Sequence, residues 1–304
     1  MTAPSGEFAY IHWLRSQVPG SSRVAVGLGD DAAVIRWADG RDCLVTTDML
    51  LEGSCFRLAE AGPFRVGYKA MAANLSDIAA MAGKPVSAVV SLGLPRHGGR
   101  HLAEELHRGM RRVSDEFDTA IVGGDTNSWD GPLVISVTIL GEPTGTGPVL
   151  RSGARAGDWL MITGPLGGSI LGHHLDFTPR VREAQALHQL VHLRAMIDVS
   201  DGLAADVWHL CEESGCGARL DSAQIPITAA AHRFTDDRTP LEHAIGDGED
   251  FELAFAVSPE DGARLIADQP IVGATLHHIG AFVDAGLWLD DAPLEPRGYS
   301  HPMS

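Results

Sequence analysis

Residues 68–85 read YKAMAANLSDIAAMAGKP, and this stretch carries most of the information about the fold. Its small apolar side chains predict a helix over residues 64–82 that is buried on nearly all sides. Asn74 and Asp77 are three positions apart and therefore share one face of that helix. A buried carboxylate needs hydrogen-bond donors or a cation. Because the chain has only two lysines, we expect an arginine or a metal ion to balance Asp77.

Aspartates recur beside glycine or at the ends of predicted strands elsewhere in the chain. Asp and Gly also favour turns, and Ser200 or Asp201 could cap the helix that follows, so a structural role stays open for each motif taken alone. Taken together, clusters of carboxylate and hydroxyl oxygens suit Mg²⁺, whose sites are usually completed by phosphate groups. The motifs are GDD (29–31), TTD (46–48), GGDT (123–126), DVSDG (198–202) and GED (248–250).

Predicted strands and helices alternate on both sides of the quoted stretch. This order is typical of α/β (α+β) folds, and 304 residues are enough for two domains of about 150 residues each. The segment 142–148 (EPTGTGP) is the predicted linker, so we predict two α/β domains, residues 1–143 and 149–304. The predicted helices are 6–18, 64–82, 98–116, 169–174, 182–193 and 203–214, with a final αβ unit; the predicted strands are 43–47, 86–94, 120–122, 133–140, 159–163, 196–199 and 252–257.

The formal charge of −17 argues against binding to nucleic acid or to an anionic membrane, because both need clustered Lys and Arg. No apolar run reaches the roughly 18 residues of a membrane span, and the first residues lack a secretory pattern. The four cysteines form no C-x-x-C pair, which is typical of reduced thiols. We therefore expect a cytoplasmic protein with no nucleic-acid or membrane partner.

The sequence has no standard nucleotide-binding or nucleophile motif. It contains no G-x-x-x-x-G-K-[ST] loop, no protein-kinase H-R-D or D-F-G set and no G-x-S-x-G elbow. The Gly-rich run 164–172 could hold an anion at a helix start, but such turns are common. The pairs His173-His174 and His277-His278 lack partners at metal-ligand spacing, so we interpret them as surface or core histidines.

Taken in order, eight segments resemble the thiamine-monophosphate kinase family. They span nearly the whole chain in the family's order, and several are long. The wider superfamily includes aminoimidazole ribonucleotide synthetase, selenophosphate synthetase and a hydrogenase-maturation enzyme. The segments are GLGDDAAV (27–34), TTDMLLEG (46–53), the opening stretch (68–85), IVGGDTNS (121–128), LVISVTILGEP (133–143), RSGARAGDWLMITG (151–164), MIDVSDGLAADVWHL (196–210) and DGEDFELAF (247–255).

The resemblance implies ATP-dependent phosphorylation of thiamine monophosphate in a homodimer, with ATP and several Mg²⁺ ions in a cleft of the N-terminal domain. It implies metal ligands at Asp31, Thr46, Thr47, Asp48, Asp77, Asp125 and Asp198, with Asp201 as a further candidate. Neighbouring side chains on a strand point to opposite faces, so we expect only one of Asp30 and Asp31 to face the cluster, and the family pattern favours Asp31. Contacts to ATP are implied for Gly124, Asp125, Arg151 and Ser200, and contacts to the thiamine part for Glu249 and Tyr299.

The expected chemistry needs no catalytic base. A phosphate oxygen of the acceptor is already largely ionised near neutral pH, so in-line transfer of the γ-phosphoryl group depends on positioning and charge neutralisation. Arg151 can add a bidentate phosphate contact. We therefore predict many metal ligands and no general base among the site residues.

The chain departs from the family pattern at two places near the substrate. Cys55 stands where the family has a substrate-contacting histidine, and the segment between Gly172 and Pro179 is shorter than is usual. His107 also occupies a position where a tyrosine often contacts ATP. These departures leave two alternatives open: an enzyme of the same superfamily that acts on another phosphorylated molecule, or a nucleotide-binding relative without turnover.

Overall fold

The computed structural model describes residues 7–17 and 21–299 as eight helices, thirteen strands and three short 3₁₀ turns. The first half contains α1 Glu7–Gln17, β1 Val24–Val26, β2 Ala33–Arg36, β3 Asp42–Leu51, α2 Leu58–Ala61, α3 Pro63–Ala80, β4 Lys84–Pro95, α4 Gly99–Glu116, β5 Ala120–Trp129 and β6 Val134–Glu142. The second half contains β7 Trp159–Ile162, α5 Val181–Leu190, β8 Ala195–Asp198, α6 Leu203–Ser214, β9 Gly217–Leu220, α7 Pro240–Gly246, β10 Leu253–Val257, α8 Pro259–Asp268, β11 His277–Val283, β12 Leu287–Leu289 and β13 Ala292–Pro293.

The first half forms a six-stranded sheet with the order β1-β2-β3-β6-β4-β5. All pairs are antiparallel except β4 and β5, which run parallel across the connecting helix α4. Side chains alternate between the two faces of each strand. Leu44, Thr46 and Leu50 of β3 are therefore buried against α3, while Thr47 and Met49 lie on the opposite, exposed face.

The helix predicted from the opening stretch, α3, lies between the two sheets. Thirteen of its eighteen residues are buried, as expected for a helix of small apolar side chains. One cluster of buried side chains runs from the first sheet through α3 to Met161, Met196 and Phe255 on the second sheet. The two halves of the chain therefore share one hydrophobic core.

The second half forms a seven-stranded sheet with the order β13-β12-β9-β11-β7-β10-β8. The opposite face of this sheet has a core of its own, in which Ile162, Ile197 and Ala254 pack with Leu203 and Val207 of α6. Strand β8 lies next to α3, and its last residue, Asp198, accepts a hydrogen bond from Ser76 of that helix. This junction brings motifs from both halves together. None of the helices in residues 7–17 and 21–299 is long and apolar enough to cross a membrane.

Two α/β halves confirm the predicted fold class, and helix 203–214 has the predicted bounds. The structure differs at several places: β3 and β5 are longer than predicted, two 3₁₀ turns replace the helix predicted at 169–174, and the elements β1, β2, α2, β9, α7, β12 and β13 were not predicted. Gly6 and Val18, the predicted ends of the first helix, lie outside the described residues. The boundary between residues 143 and 149 stays a prediction.

Candidate active site

Three aspartates from distant parts of the sequence meet at the junction of the two halves. Asp31 follows β1, Asp77 lies on α3, and Asp198 ends β8. One carboxylate oxygen from each lies within 4.8 Å of the others. Asp31 and Asp198 are 7% and 2% exposed. This triad consists only of oxygen ligands.

Each member of the triad has a hydrogen-bond donor that fixes its orientation. Thr46 Oγ1 donates to Asp77 Oδ2 at 2.5 Å, and Ser76 Oγ donates to Asp198 Oδ2 at 2.5 Å. Arg151 donates to both oxygens of Asp31, at 2.7 and 3.1 Å. These contacts hold the three carboxylates without neutralising all of them.

The carboxylates in this group repel one another. Burial and the nearby carboxylates raise the pKa of Asp198 to about 8 and that of Asp48 to about 6. The same two causes raise the pKa of Asp77 well above its ordinary value. Arg151 is the cation that the described residues place in contact with this group. A hard divalent cation that binds oxygen would relieve this repulsion, so the donor set fits Mg²⁺.

The loop 198–202 and its helix complete one side of the site. Burial and the charge of Asp201 raise the pKa of Asp206 well above its ordinary value. Its carboxylate accepts the backbone N–H groups of Asp201 and Gly202 at 3.1 and 3.0 Å. The Ser200 carbonyl accepts the N–H of Glu249 at 2.7 Å, which connects this loop to the GED motif.

In the GDD and TTD motifs, two adjacent side chains contact different parts of the structure. Asp30 accepts the backbone N–H of Arg151 at 3.2 Å, whereas Asp31 belongs to the triad. Thr46 also contacts the triad, but the Thr47 hydroxyl points to the other face of the sheet and donates to the Val137 carbonyl at 3.0 Å. The structure therefore brings Asp31 and Thr46 to the site but not the Thr47 side chain.

Gly124 and Asp125 lie on the edge strand β5, where both are exposed. Gly124 has φ +155°, and a Cβ there would come within 1.7 Å of the Val90 carbonyl oxygen. A cavity of about 250 Å³ lies between this edge and α4. Its lining includes Gly124, Asp125 and His107. Asp125 is not a member of the triad.

A second polar group lies next to α3 and contains the predicted substrate residues. Lys69 Nζ lies 2.7 Å from both oxygens of Glu249 and 2.8 Å from the Cys55 carbonyl oxygen. His174 Nδ1 lies 2.9 Å from Glu249 Oε2. Burial opposes ionisation of Glu249, but its contacts with His174 and Lys69 outweigh that effect and lower its pKa.

The end of the described chain reaches the same region. Tyr299 donates its backbone N–H to the Asp201 carbonyl at 2.9 Å, and its hydroxyl lies 3.1 Å from Ser54 Oγ. Lys69 connects Cys55 to Glu249, and Ser54 contacts Tyr299, so these three segments meet in one region.

Sequence reasoning missed four residues of this site: Lys69, Ser76, His174 and Asp206. Lys69 and Ser76 could have been found, because both are polar residues within the helix that was predicted to be buried. His174 gave no such signal, since its pairing with Glu249 depends on how segment 172–180 folds.

Two family models match the chain. Residues 29–142 match the AIR synthase related protein, N-terminal domain, and residues 155–286 match the AIR synthase related protein, C-terminal domain. Together with the two sheets and the junctional carboxylates, these matches define the class as AIR synthase related proteins.

Similar proteins show which family within this class the chain belongs to. A thiamine-monophosphate kinase of Rhodopirellula baltica is 43% identical over 310 residues, with 97% of each chain covered. The Escherichia coli K12 thiamine-monophosphate kinase is 34% identical, with 97% of this chain and 98% of the relative covered. A solved structure described as AaThiL complexed with AMPPCP and TMP has a TM-score of 0.85 at 28% identity, with 97% of each chain covered. The chain therefore belongs to the thiamine-monophosphate kinase family.

Proposed function

We propose that this protein transfers the γ-phosphoryl group of ATP to thiamine monophosphate at a site with several Mg²⁺ ions. The observation that carries the proposal is the triad Asp31, Asp77 and Asp198, of which Asp31 and Asp198 are buried, held beside Arg151 at the junction of the two halves. The family relationship supports the same reaction, since the relatives are named thiamine-monophosphate kinases.

The side chains of the triad would hold Mg²⁺, and Asp48 and Asp201, whose charges act on neighbouring carboxylates, would add further ligands. When bound, Mg²⁺ would neutralise phosphate charge at the transferring group. Thr46, Ser76 and Arg151 orient the carboxylates, so little rearrangement is needed on binding. The acceptor phosphate is already largely ionised near neutral pH, so the residues need to align it rather than deprotonate it.

The nucleotide would extend from the triad toward the edge of the first sheet. The cavity of about 250 Å³ beside Gly124 and Asp125 supports this placement, because it offers apolar walls and an exposed backbone at one end. Arg151 and Ser200 would then contact the phosphate end of ATP. Asp125 would contact the nucleotide there, either directly or through a metal ion.

The acceptor would bind in the region where the segments of Cys55, Glu249 and Tyr299 meet. Tyr299 is 45% exposed, and its ring would stack on a planar ring of the acceptor. Cys55 turns its thiol toward the Leu51 N–H, at 3.5 Å, and its carbonyl toward Lys69. The side chain at position 55 is smaller than the histidine of the family pattern.

We also propose a homodimer that forms through the exposed face of the first sheet. This face carries Met49, Leu51, Val89 and Leu140, which are 61%, 40%, 42% and 38% exposed. They lie on neighbouring strands β3, β6 and β4 and are interspersed on this face with Thr47, Ser136 and Thr138. Large exposed apolar patches mark interaction sites. A cytoplasmic location is part of the same proposal.

An end-point assay tests the reaction. Purified protein is incubated with ATP, Mg²⁺ and thiamine monophosphate, and thiamine diphosphate is measured by chromatography. We expect product that disappears when a chelator is added and when Asp77 is replaced in the Asp77→Asn variant. Nucleotide binding without product would contradict the proposal. Two functions would then remain: phosphorylation of another phosphorylated acceptor, or a non-catalytic role. The small side chain of Cys55 favours another acceptor.

A further inference from the structure

Arg151 is held through its backbone as well as through its side chain. Its guanidinium donates to both oxygens of Asp31, at 2.7 and 3.1 Å, and its backbone N–H donates to the carboxylate of Asp30 at 3.2 Å. Its carbonyl oxygen accepts a hydrogen bond from Ser214 Oγ at 3.2 Å. The guanidinium, the N–H and the carbonyl of Arg151 therefore each have a partner, and the partner of the carbonyl lies 63 positions away in the sequence.

The Ser214 hydroxyl joins three backbone groups of the segment that contains Arg151. Besides donating to the Arg151 carbonyl, it accepts the N–H groups of Gly153 and Ala154, both at 3.1 Å. A hydroxyl has one donor and two acceptor positions, so these contacts use all of its hydrogen-bonding capacity. Gly153 has φ +124°, a value that favours glycine, where the chain turns around the hydroxyl. Ser214 therefore sets the conformation of the backbone that carries the Arg151 side chain.

Ser214 is the last residue of α6, and the first turn of the same helix holds another loop of the site. Asp206 accepts the N–H groups of Asp201 and Gly202 at 3.1 and 3.0 Å. Positions 206 and 214 are about 12 Å apart along the helix axis. Because a helix is a rigid element over this length, α6 fixes the position of segment 151–154 relative to the loop 198–202.

The residue next to Ser214 contacts the GDD motif through a second arginine. Glu213 Oε1 and Oε2 lie 2.6 and 3.1 Å from the guanidinium nitrogens of Arg15. A Cβ on Gly29 would lie 2.4 Å from Arg15 Cζ, so this guanidinium packs directly on the backbone of Gly29. The end of α6 therefore holds both segments that meet at Arg151, which are 29–31 through Arg15 and 151–154 through Ser214.

We propose that Ser214 is a positioning residue for phosphoryl transfer: its hydroxyl fixes the backbone of segment 151–154, so that the Arg151 guanidinium stays beside the triad and can contact the phosphate groups of ATP. Bidentate contact between a guanidinium and phosphate oxygens depends on precise geometry, which a fixed backbone supplies. Ser214 hydrogen-bonds backbone groups of this segment and acts through Arg151, so it is not a catalytic residue. The inference rests on the proposed function for the role of Arg151.

Nucleotide binding tests this role without depending on the acceptor. We would measure the Kd of a non-hydrolysable ATP analogue for the full chain by calorimetry, with Mg²⁺ present. Ser214→Ala removes all three hydrogen bonds, and we expect Kd to rise about tenfold, which is typical when a residue that orients a ligand-binding group is lost. Ser214→Thr keeps the hydroxyl and should bind within about threefold of the wild type. A Kd for Ser214→Ala equal to that of the wild type, or no recovery in Ser214→Thr, would overturn the inference.

Ser258→Ala is the matched control for lost stability. Ser258 caps α8, where its Oγ accepts the N–H of Asp261 at 3.1 Å, so this variant also loses the hydrogen bonds of a serine hydroxyl. We expect both alanine variants to lower the Tm by about 1–3 °C, but only Ser214→Ala to weaken nucleotide binding. Equally weakened binding in Ser258→Ala would show that the loss follows general stability, and would overturn the inference.

A double variant shows whether Ser214 acts through Arg151. Arg151→Gln removes the guanidinium, so in that background we expect Ser214→Ala to change Kd by less than about twofold. Displacement of a fluorescent nucleotide extends the measurement to weak binding. A further tenfold loss in the double variant would show that Ser214 acts on another part of the site, and would also overturn the inference.

The results distinguish this inference from the proposed function. Weaker nucleotide binding in Ser214→Ala, with no thiamine diphosphate formed by the wild type, would retain the inference and overturn the proposed reaction. Product formed by the wild type, with equal Kd values in the wild type and Ser214→Ala, would overturn the inference alone. If the wild type binds no nucleotide, both are wrong.

Discussion

Thr46 and Thr47 are adjacent in β3 but contact different parts of the molecule. Thr46 donates to Asp77 in the triad, whereas Thr47 donates to the Val137 carbonyl on the opposite face. We expect Thr46→Val to lower kcat/KM about 10- to 100-fold, because residues that orient metal ligands typically contribute that much. Thr47→Val is the matched control, and we expect it to stay within about threefold of the wild type. The end-point assay measures both variants, and equal losses would place the Thr47 hydroxyl in the reaction after all.

The raised pKa of Asp198 makes the stability of the metal-free protein depend on pH. Burial and neighbouring carboxylates raise that pKa from 3.8 to about 8, so the folded protein holds this proton more tightly than the unfolded chain does. The stabilising effect of the proton is complete below about pH 4 and is lost as the pH rises to about 8. We therefore expect the Tm in chelator to fall over this range.

Thermal unfolding of wild type and Asp198→Asn measures this effect. The amide has no proton to lose, so the fall in Tm between about pH 5 and 8 should be smaller in the variant. Added Mg²⁺ should raise the Tm of the wild type most at the higher pH, where the carboxylates are ionised. Parallel Tm curves for the two proteins would show that Asp198 does not titrate in this range.

For individual residues, the sequence indicates which ones are polar and buried, but not always which groups they contact. Asp77 could be predicted because a carboxylate in an apolar helix needs a partner. The separation of Thr46 from Thr47 could also have been predicted, since alternation along a strand puts neighbours on opposite faces. The contact of Lys69 with Glu249 could not, because it joins residues 180 positions apart and depends on the packing of both halves.

Two glycines allow α3 and α4 to cross with their backbones in contact. A Cβ on Gly67 would lie 2.1 Å from the Leu106 carbonyl oxygen, and one on Gly109 would lie 1.9 Å from that of Phe64. Gly→Ala in a helix usually stabilises by about 0.5–1 kcal/mol, but here the added methyl group must push the helices apart. We expect Gly109→Ala to lower the free energy of unfolding by about 1–3 kcal/mol.

Denaturant unfolding measures this change. Gly99→Ala, at the start of the same helix, is the control, because a Cβ there would meet only side-chain atoms of Leu94, the nearest at 3.3 Å. We expect its effect to stay below about 1 kcal/mol. An unchanged or increased free energy of unfolding in Gly109→Ala would mean that the helices can separate at little cost.

Long elements with a strong hydrophobic periodicity were predicted best. Helices α3 and α6 combine apolar periodicity with clear ends. Strand β5 was predicted too short because Gly, Asp and Asn, which are rare in strands, fill its second half. Helix α7 was missed although Thr239 and Glu242 form a capping box, which is a signal readable from sequence. Gly172, with φ +135°, separates the two 3₁₀ turns that replace the helix predicted at 169–174.

The proposed dimer can be tested with one charge on the exposed face of the first sheet. Met49 is 61% exposed in the centre of that face. Met49→Glu would bury a carboxylate in an apolar interface, so we expect it to convert a dimer into monomers in sedimentation velocity. Val272→Glu, at a position that is 95% exposed outside the sheet, is the control and should remain dimeric. A wild-type monomer, or an unaffected Met49→Glu dimer, would contradict the proposed interface.

The whole molecule is organised around one helix. Helix α3 supplies Asp77 to the triad and Lys69 to the pocket of Glu249, and it lies between both sheets. The sequence predicted the burial of this helix and its carboxylate, but the second role became visible only from the packing of segment 172–180 against it.

This arrangement has a consequence for how such a protein can be diversified. Substitutions in α3 alter the proposed phosphoryl-transfer centre, the proposed acceptor site and the core at the same time, so a mutant library directed at this helix should contain few active members. Segment 172–180 is different: it reaches the proposed acceptor site through His174, whereas the triad residues and their hydrogen-bond donors come from other parts of the chain. A laboratory selection for altered acceptor preference would therefore randomise this segment and leave the helix unchanged.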